Sequence, residues 1–198
     1  MINVFSDYGS KTNIRKQEEE NAARFFGYES LCLDMPDFPL REWFGWSVFQ
    51  RNRILTEKDQ RWADQVAGRL KALMRGIQYQ WICLPLAIGL HRDHQICFQA
   101  GVKAFSSERA LFYEDVPYAL NADALKKRWD KLPGSFLHEL VEITDCFEKK
   151  MQGVLCYQSQ LRGCFGSEED MRRRFREFHT IAQNAKSSLH ERIWKACV

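Results

Sequence analysis

Two histidines and an aspartate fall within four residues of the sequence, in the segment His91-Arg92-Asp93-His94. Two imidazoles three residues apart at the start of a helix can point to the same side. A carboxylate between them can accept the second N–H of one ring, which suits a metal ligand or a proton-transferring histidine. The alternative is a polar loop whose histidines cap a helix, and spacing alone does not separate these interpretations. The remaining histidines, His138, His179 and His190, are more typical of surface or core-edge positions.

Strands and helices that would position this segment alternate over the first two-thirds of the chain. The predicted strands cover residues 2–6, 30–34, 79–84 and 110–113, and the predicted helices cover residues 14–26, 57–75 and 95–105. Alternation of this kind favours an α/β fold with a parallel, doubly wound sheet. From about residue 125 the chain is predicted to be mostly helical, with its longest helix over residues 136–157. No linker or repeat interrupts the chain, which predicts one domain over residues 1–198.

Side chains of the types that bind metals follow each predicted strand. In an open α/β sheet, ligands bind beyond the carboxyl ends of the strands. The first strand is followed by Asp7, the second by Asp34 and Asp37, the third by the His91–His94 segment, and the fourth by Glu114 and Asp115. The topology therefore predicts that these polar residues gather at one edge of the sheet.

The composition is that of a folded soluble protein, with 45% hydrophobic and 28% charged residues. The net charge of +3 is too small to indicate a nucleic-acid partner, and the basic run at residues 172–174 lies among acidic residues. No apolar stretch approaches the roughly 20 residues of a membrane helix, and no signal peptide is visible. The seven cysteines include no C-x-x-C pair, which favours a reduced, cytoplasmic protein. The sequence leaves open whether the chain forms a homo-oligomer.

The stretch from Leu84 to His94, followed by Leu111 to Tyr118, resembles part of the PIG-L/LmbE-like family of zinc-dependent N-acetylglucosaminyl deacetylases. Further segments that resemble the family in order are Arg15-x-x-Glu18 with Ala22, Ala23, Phe26 and Gly27, then Leu33 to Arg41, then Lys149 or Lys150 with Tyr157-x-Ser159-Gln160, and last Glu191-Arg192-x-Trp194. Together they span nearly all of the chain.

The resemblance implies a Rossmann-like fold, a Zn²⁺ cofactor, and hydrolysis of an N-acyl group from a small-molecule amino sugar or related amine. It implies that His94 binds zinc and that His91 stabilises the tetrahedral oxyanion. It also implies that Asp93 orients His91 and that Arg15 contacts the substrate.

The family's H-P-D-D motif is missing from the 198 residues. In the family it ends the first, central strand and supplies two zinc ligands and the general base, so both the central strand and the metal site are expected to be incomplete. A catalytic zinc normally has three protein ligands, and His94 alone would not hold it. Three explanations remain open. The chain is an N-terminally truncated form of an ordinary deacetylase, which we favour, or a non-catalytic homologue, or a chain that a partner or swapped strand completes.

A non-catalytic carbohydrate-binding or interaction protein derived from this fold is the alternative function. It is motivated by the aromatic segment Trp43-Phe44-x-Trp46 and Phe49, since aromatic faces suit sugars as well as subunit interfaces. A nucleotide-binding function is disfavoured because no G-x-G-x-x-G or Walker-type loop follows a predicted strand.

Overall fold

The computed structural model describes residues 1–41, 55–183 and 186–197 and shows a mixed α/β fold. The helices are α1 (Thr12–Phe26), α2 (Phe38–Arg41), α3 (Glu57–Leu73), α4 (Arg92–Ala104), α5 (Ala122–Trp129), α6 (Phe147–Leu155), α7 (Gln158–Phe165) and α8 (Glu168–His179). The strands are β1 (Ile2–Asn3), β2 (Leu31–Cys32), β3 (Ile82–Pro85), β4 (Ala110–Tyr113), β5 (Phe136–Glu142), β6 (Thr180–Gln183) and β7 (Lys186–Ala196). The aromatic segment of the sequence, Trp43-Phe44-x-Trp46 and Phe49, lies outside the described residues.

The chain divides into two compact units, and the prediction of one domain stays a prediction. The first unit comprises Met1–Trp43 and Val141–Glu191, and the second comprises Phe44–Leu140 and Arg192–Val198. No helix among the described residues is long and apolar enough to cross a membrane.

The first unit begins with a short parallel pair of strands, β1 and β2, in which Ile2 lies opposite Leu31. Helix α1 connects them and buries Ala22 and Ala23. It ends where the sequence predicts, because Gly27 takes the left-handed conformation with φ 76°, which costs a glycine little.

The second unit is built on the parallel pair β3 and β4, against which α4 packs. Gly101 of α4 allows this approach, because a Cβ there would lie 2.4 Å from Cδ2 of Leu84. The helix predicted over residues 95–105 starts three residues earlier, at Arg92, so His94 lies in its first turn rather than in a loop. Among the described residues, β1 pairs only with β2 and β3 only with β4, in two separate sheets.

The C-terminal part differs from the prediction in its strands. The helix predicted over residues 136–157 is wrong: residues 136–142 form strand β5, and α6 starts only at Phe147. Strands β6 and β7 at the C-terminal end were also not predicted as strands. In the mixed sheet, β7 pairs antiparallel with β4, with Phe112 opposite Trp194, and it lies between β4 and β5. Strand β5 depends on pairing with the distant strand β7, which outweighs the local helix preference of residues such as Leu140 and Glu142. Strands β6 and β7 pair antiparallel with each other, with Gln183 opposite Lys186.

Candidate functional site

The His94 imidazole is held by a buried carboxylate from another part of the second unit. Nδ1 of His94 donates to Oδ1 of Asp115 at 2.5 Å, and since an ionised carboxylate only accepts, the proton is on Nδ1. The Asp115 side chain is fully buried, whereas that of His94 is 35% exposed. This bond leaves Nε2 of His94 with its lone pair available for another group.

The second oxygen of Asp115 holds the loop between β3 and α4. Oδ2 accepts the backbone N–H of Ile88 at 2.9 Å. In this loop three residues, Ala87, Gly89 and Leu90, have positive φ values of 60°, 81° and 56°. Positive φ is costly for residues with a Cβ, so the contact of Asp115 stabilises a strained backbone directly before His91.

Arg128 of α5 fixes the same loop from a buried position. Its Nε donates to the carbonyl oxygen of Leu86 at 2.7 Å, and its guanidinium lies 4.6 Å from the centroid of the Phe98 ring. Burial lowers the pKa of Arg128 to about 10, although the negative charge of Asp115 opposes this change. The guanidinium therefore remains charged at neutral pH.

Tyr118 completes a cluster of three rings with the two histidines. The ring centroids of His91 and His94 are 5.2 Å apart, and the Tyr118 centroid lies 6.0 Å from His91 and 5.5 Å from His94. Gly89 makes room for this ring, because a Cβ at that position would lie 2.6 Å from atoms of Tyr118. The histidines are thus brought together, as their spacing predicts, and one side of the pair is covered by an aromatic ring.

Burial and the neighbouring carboxylates act in opposite directions on the pKa of His94. Burial opposes charge on the imidazole, but the hydrogen bond and the charge of Asp115, together with the charge of Asp93, raise the pKa of His94 above its ordinary value. His91 is the N-cap of α4, so both rings also lie at the end of the helix where the backbone dipole favours negative charge in a ligand.

A buried ion pair anchors the start of α4 to helix α3. Nη2 of Arg92 lies 2.7 Å from Oδ2 of Asp59, with side-chain exposures of 8% and 5%. Asp59 also forms a capping box with Thr56 at the start of α3. Arg92 therefore has a structural role, since it holds the helix that carries the two histidine rings.

Asp93 is buried at the N-terminus of α4, with 7% of its surface exposed. Its charge acts on His94, and its role in orienting His91 stays a prediction. The carboxylate hydrogen-bonded to His94 is Asp115, which sequence reasoning placed at the strand edge without assigning it to the site. Tyr118 was not predicted as a site residue either, although it closes the segment after β4 that resembles the family.

Arg15 lies in the first unit, on α1. Its guanidinium is stacked 4.8 Å from the centroid of the Tyr8 ring. Burial raises the pKa of Asp37, while a backbone hydrogen bond from Leu40 and the charges of Arg15 and Arg41 lower it in part. Nε of Arg15 and Oδ1 of Asp37 are buried and have no hydrogen-bond partner among the described residues. These two atoms therefore lack the hydrogen bonds that buried polar groups normally have.

The described residues do not fit a complete zinc site. His94 has the features of a metal-binding histidine, since its second nitrogen is held by a carboxylate. However, residues 1–41, 55–183 and 186–197 contain no group of three histidine, cysteine or acidic side chains arranged to hold a metal ion. A catalytic zinc normally has three protein ligands, and the described residues do not supply such a set.

Comparison with known families gives a match for just over half of the chain. Residues 5–105 match the PIG-L family, described as GlcNAc-PI de-N-acetylase. The match includes Arg15, Asp37 and the His91–His94 segment. A comparison with curated proteins gives no significant match.

Solved structures of deacetylases have the same fold. The zinc-inhibited form of teicoplanin deacetylase Orf2 has a TM-score of 0.74 at 22% identity, over 94% of this chain and 74% of that chain. The A40926 pseudoaglycone deacetylase Dbv21 has a TM-score of 0.73 at 17% identity, over 99% of this chain and 84% of that chain. A teicoplanin deacetylase in complex with teicoplanin has a TM-score of 0.71 at 18% identity, over 94% of this chain and 74% of that chain. At these identities the likeness shows the fold.

Proposed function

Because the chain belongs to the PIG-L family of GlcNAc-PI de-N-acetylases, we propose that it is an amide hydrolase that removes the acetyl group from an N-acetylated amino sugar or a related amine. The observation that carries this proposal is the His94–Asp115 hydrogen bond beside His91. A buried carboxylate that fixes one nitrogen of an imidazole is a common device for presenting the other nitrogen to a metal or a substrate.

The two histidines have separate roles in the proposed reaction. His91, at the N-cap of α4, is proposed to donate a hydrogen bond to the oxygen that becomes negative as the amide carbonyl turns tetrahedral. The helix N-terminus favours the same negative charge. Asp93 is proposed to orient His91, and Asp115 orients His94.

Zinc is the proposed cofactor, with His94 as a ligand. Since the described residues contain no group of three side chains arranged to hold a metal ion, the other donors have to come from outside them. The roles assigned to His91, Asp93 and Asp115 concern hydrogen bonding and orientation and do not depend on how those donors are supplied.

Arg15 and Asp37 are proposed to bind hydroxyl or carbonyl groups of the amino sugar. Both offer a buried polar atom without a hydrogen-bond partner among the described residues. A buried unsatisfied polar group costs about 1–3 kcal/mol, so a ligand that pairs with these atoms recovers that energy on binding.

Acetate release tests the proposal. The full chain, purified with zinc in the buffer, is incubated with an N-acetylglucosaminyl substrate. A separate incubation uses teicoplanin as a second probe, since one similar structure is a deacetylase in complex with teicoplanin. Acetate from at least one probe supports the proposal, and in that case we expect His94→Ala to remove both the activity and the bound zinc. The matched control is His190→Ala, since the hydrogen bond that His190 accepts from His179 uses its backbone oxygen and is retained in alanine. Retained activity and zinc in His94→Ala would show that the assignment of His94 is wrong.

Binding of an amino sugar without hydrolysis is the second candidate function. The Arg15 and Asp37 atoms favour it independently of the histidines, because they can bind a polar ligand whether or not the amide is cleaved. Titration calorimetry with an N-acetylglucosaminyl probe separates the two functions. Binding that Arg15→Met weakens, in a chain that releases no acetate and holds no zinc, favours the second candidate. Acetate release contradicts it.

A further inference from the structure

The residue before Asp115 carries a second buried carboxylate, and this one contacts the C-terminal strand. The Glu114 side chain is 6% exposed. Its oxygens accept Nε and Nη2 of Arg192 at 2.7 and 2.8 Å, and Oε1 also accepts the indole Nε1 of Trp194 at 3.0 Å. Glu114 thus receives three N–H donors, all from β7.

Asp115 is held by a different set of groups, from the loop before α4 and from His94 itself. The two neighbouring residues are therefore fixed by separate elements, Glu114 by β7 and Asp115 by the candidate site. The strand register brings β7 next to the segment that carries Glu114 and Asp115, because Tyr113, the last residue of β4, lies opposite Ile193 of β7.

We infer that Arg192 and Trp194 are positioning residues for His94, acting through Glu114 and Asp115. A buried carboxylate that loses its paired cation is strongly destabilised, and the segment that carries it relaxes toward water. Because Asp115 is the next residue in the chain, that movement changes where its carboxylate meets Nδ1 of His94. A charged hydrogen bond of 2.5 Å depends steeply on such a displacement.

The inference gives the C-terminal segment Glu191-Arg192-x-Trp194 a role that its resemblance to the family does not state. Its catalytic consequence rests on the proposed deacetylase function. Its positional consequence, the geometry of the His94–Asp115 hydrogen bond, does not rest on that function.

NMR of the full chain labelled with ¹⁵N-histidine measures this hydrogen bond directly. The Nδ1–H resonance of His94 is identified by its loss in His94→Ala. We expect Arg192→Ala to move this resonance upfield and to speed its exchange with water at constant pH. The matched control is Lys195→Ala, which removes a cation from the same strand whose partner, Glu139 at 2.8 Å, is exposed. The control is expected to leave the resonance in place.

A milder variant covers the case in which Arg192→Ala does not fold. Trp194→Phe keeps an aromatic ring and removes only the Nε1 donor, and it should move the resonance in the same direction by less. If deacetylation is confirmed, Arg192→Ala should lower kcat by about 10- to 100-fold, the range found for groups that orient metal ligands, with KM unchanged.

A folded variant with a lower Tm but an unmoved His94 resonance would show that Arg192 and Trp194 are structural only. If the resonance moves in a chain that has no deacetylase activity, the proposed function fails and the positional inference stands. If the chain is an active deacetylase but neither substitution moves the His94 resonance, the proposed function stands and the positional inference fails.

Discussion

Both units of the protein bury carboxylates, but these carboxylates are satisfied differently. In the first unit, Glu18 accepts the backbone N–H and the hydroxyl of Ser159 at 2.6 and 2.7 Å. Glu19 accepts the hydroxyls of Tyr28, Ser30 and Tyr157 at 3.1, 2.7 and 2.5 Å. Every donor in this group is neutral and belongs to the protein, so the network is closed.

In the second unit, Asp115 shares its oxygens between a backbone N–H and the imidazole of His94. His94 is partly exposed and keeps one nitrogen that Asp115 does not use. The comparison separates a carboxylate that joins elements of the fold from one that prepares a side chain for a ligand. It also explains why segments resembling the family occur in both units: Glu18, Tyr157 and Ser159 hold the scaffold, whereas His91 and His94 carry the proposed chemistry.

The largest effect is expected from Asp115→Ala, which breaks the site half of the comparison. The Ile88 N–H and His94 Nδ1–H lose their acceptor, and at about 1–3 kcal/mol for each buried group left unpaired the unfolding free energy should fall by about 3 kcal/mol. Urea unfolding measures this loss, and any acetate release should fall by about 10- to 100-fold. Asp130→Ala, which removes an exposed carboxylate of the same unit, is the control. Unchanged stability in Asp115→Ala would contradict the assignment of Asp115 as the anchor of the loop.

A smaller effect, limited to stability, is expected from Glu19→Ala in the first unit. Three hydroxyls lose their acceptor, but hydroxyls rotate and can find water, so the loss should be about 2 kcal/mol. The His94 Nδ1–H resonance should not move. Glu20→Ala, on the exposed side of the same helix, should change stability by less than about 0.5 kcal/mol. A shift of the His94 resonance in Glu19→Ala would mean that the two groups of carboxylates are not independent.

The sequence indicated the histidine pair correctly but did not identify which carboxylate serves His94. Spacing suffices for His91 and His94, because both lie on one turn of a helix. Asp93 is adjacent in sequence, whereas Asp115 is 21 residues away from His94, and only the pairing of β3 with β4 brings it close. The same reason explains the wrong helix over residues 136–142. Strand β5 is stabilised by pairing with β7, and local propensity contains no information about a partner some fifty residues later.

A pH effect of intermediate size is expected at Asp59. Burial alone would raise its pKa, but the hydrogen bonds from Thr56 and the hydrogen bond and charge of Arg92 lower the pKa of Asp59 below its usual value. A carboxyl with a lower pKa in the folded state stabilises the fold above its unfolded pKa of about 3.9 and loses that contribution as the pH falls. The unfolding free energy should therefore fall between about pH 5 and pH 3 more steeply in the parent chain than in Asp59→Asn. Asp64→Asn should keep the parental pH dependence, and if it flattens the curve as much as Asp59→Asn, the effect does not come from the buried pair.

The smallest effect is expected at the second ion pair between the same two helices. Lys103 of α4 lies 2.7 Å from Asp64 of α3, the same distance as in the Arg92–Asp59 pair, but its side chain is 43% exposed and that of Asp64 is 63% exposed. Water screens this pair, so Lys103→Met should change the unfolding free energy by about 0–1 kcal/mol, whereas Arg92→Met leaves Asp59 buried without its cation and should cost about 3 kcal/mol or more. The two pairs share helices, charge signs and distance, and they differ in burial and in the cation, which is Arg in one pair and Lys in the other. Equal losses in the two variants, measured by urea unfolding at the same ionic strength, would mean that burial is not what makes the start of α4 rigid, and the support for the orientation of His91 and His94 would then have to come from Asp115 and the strained loop alone.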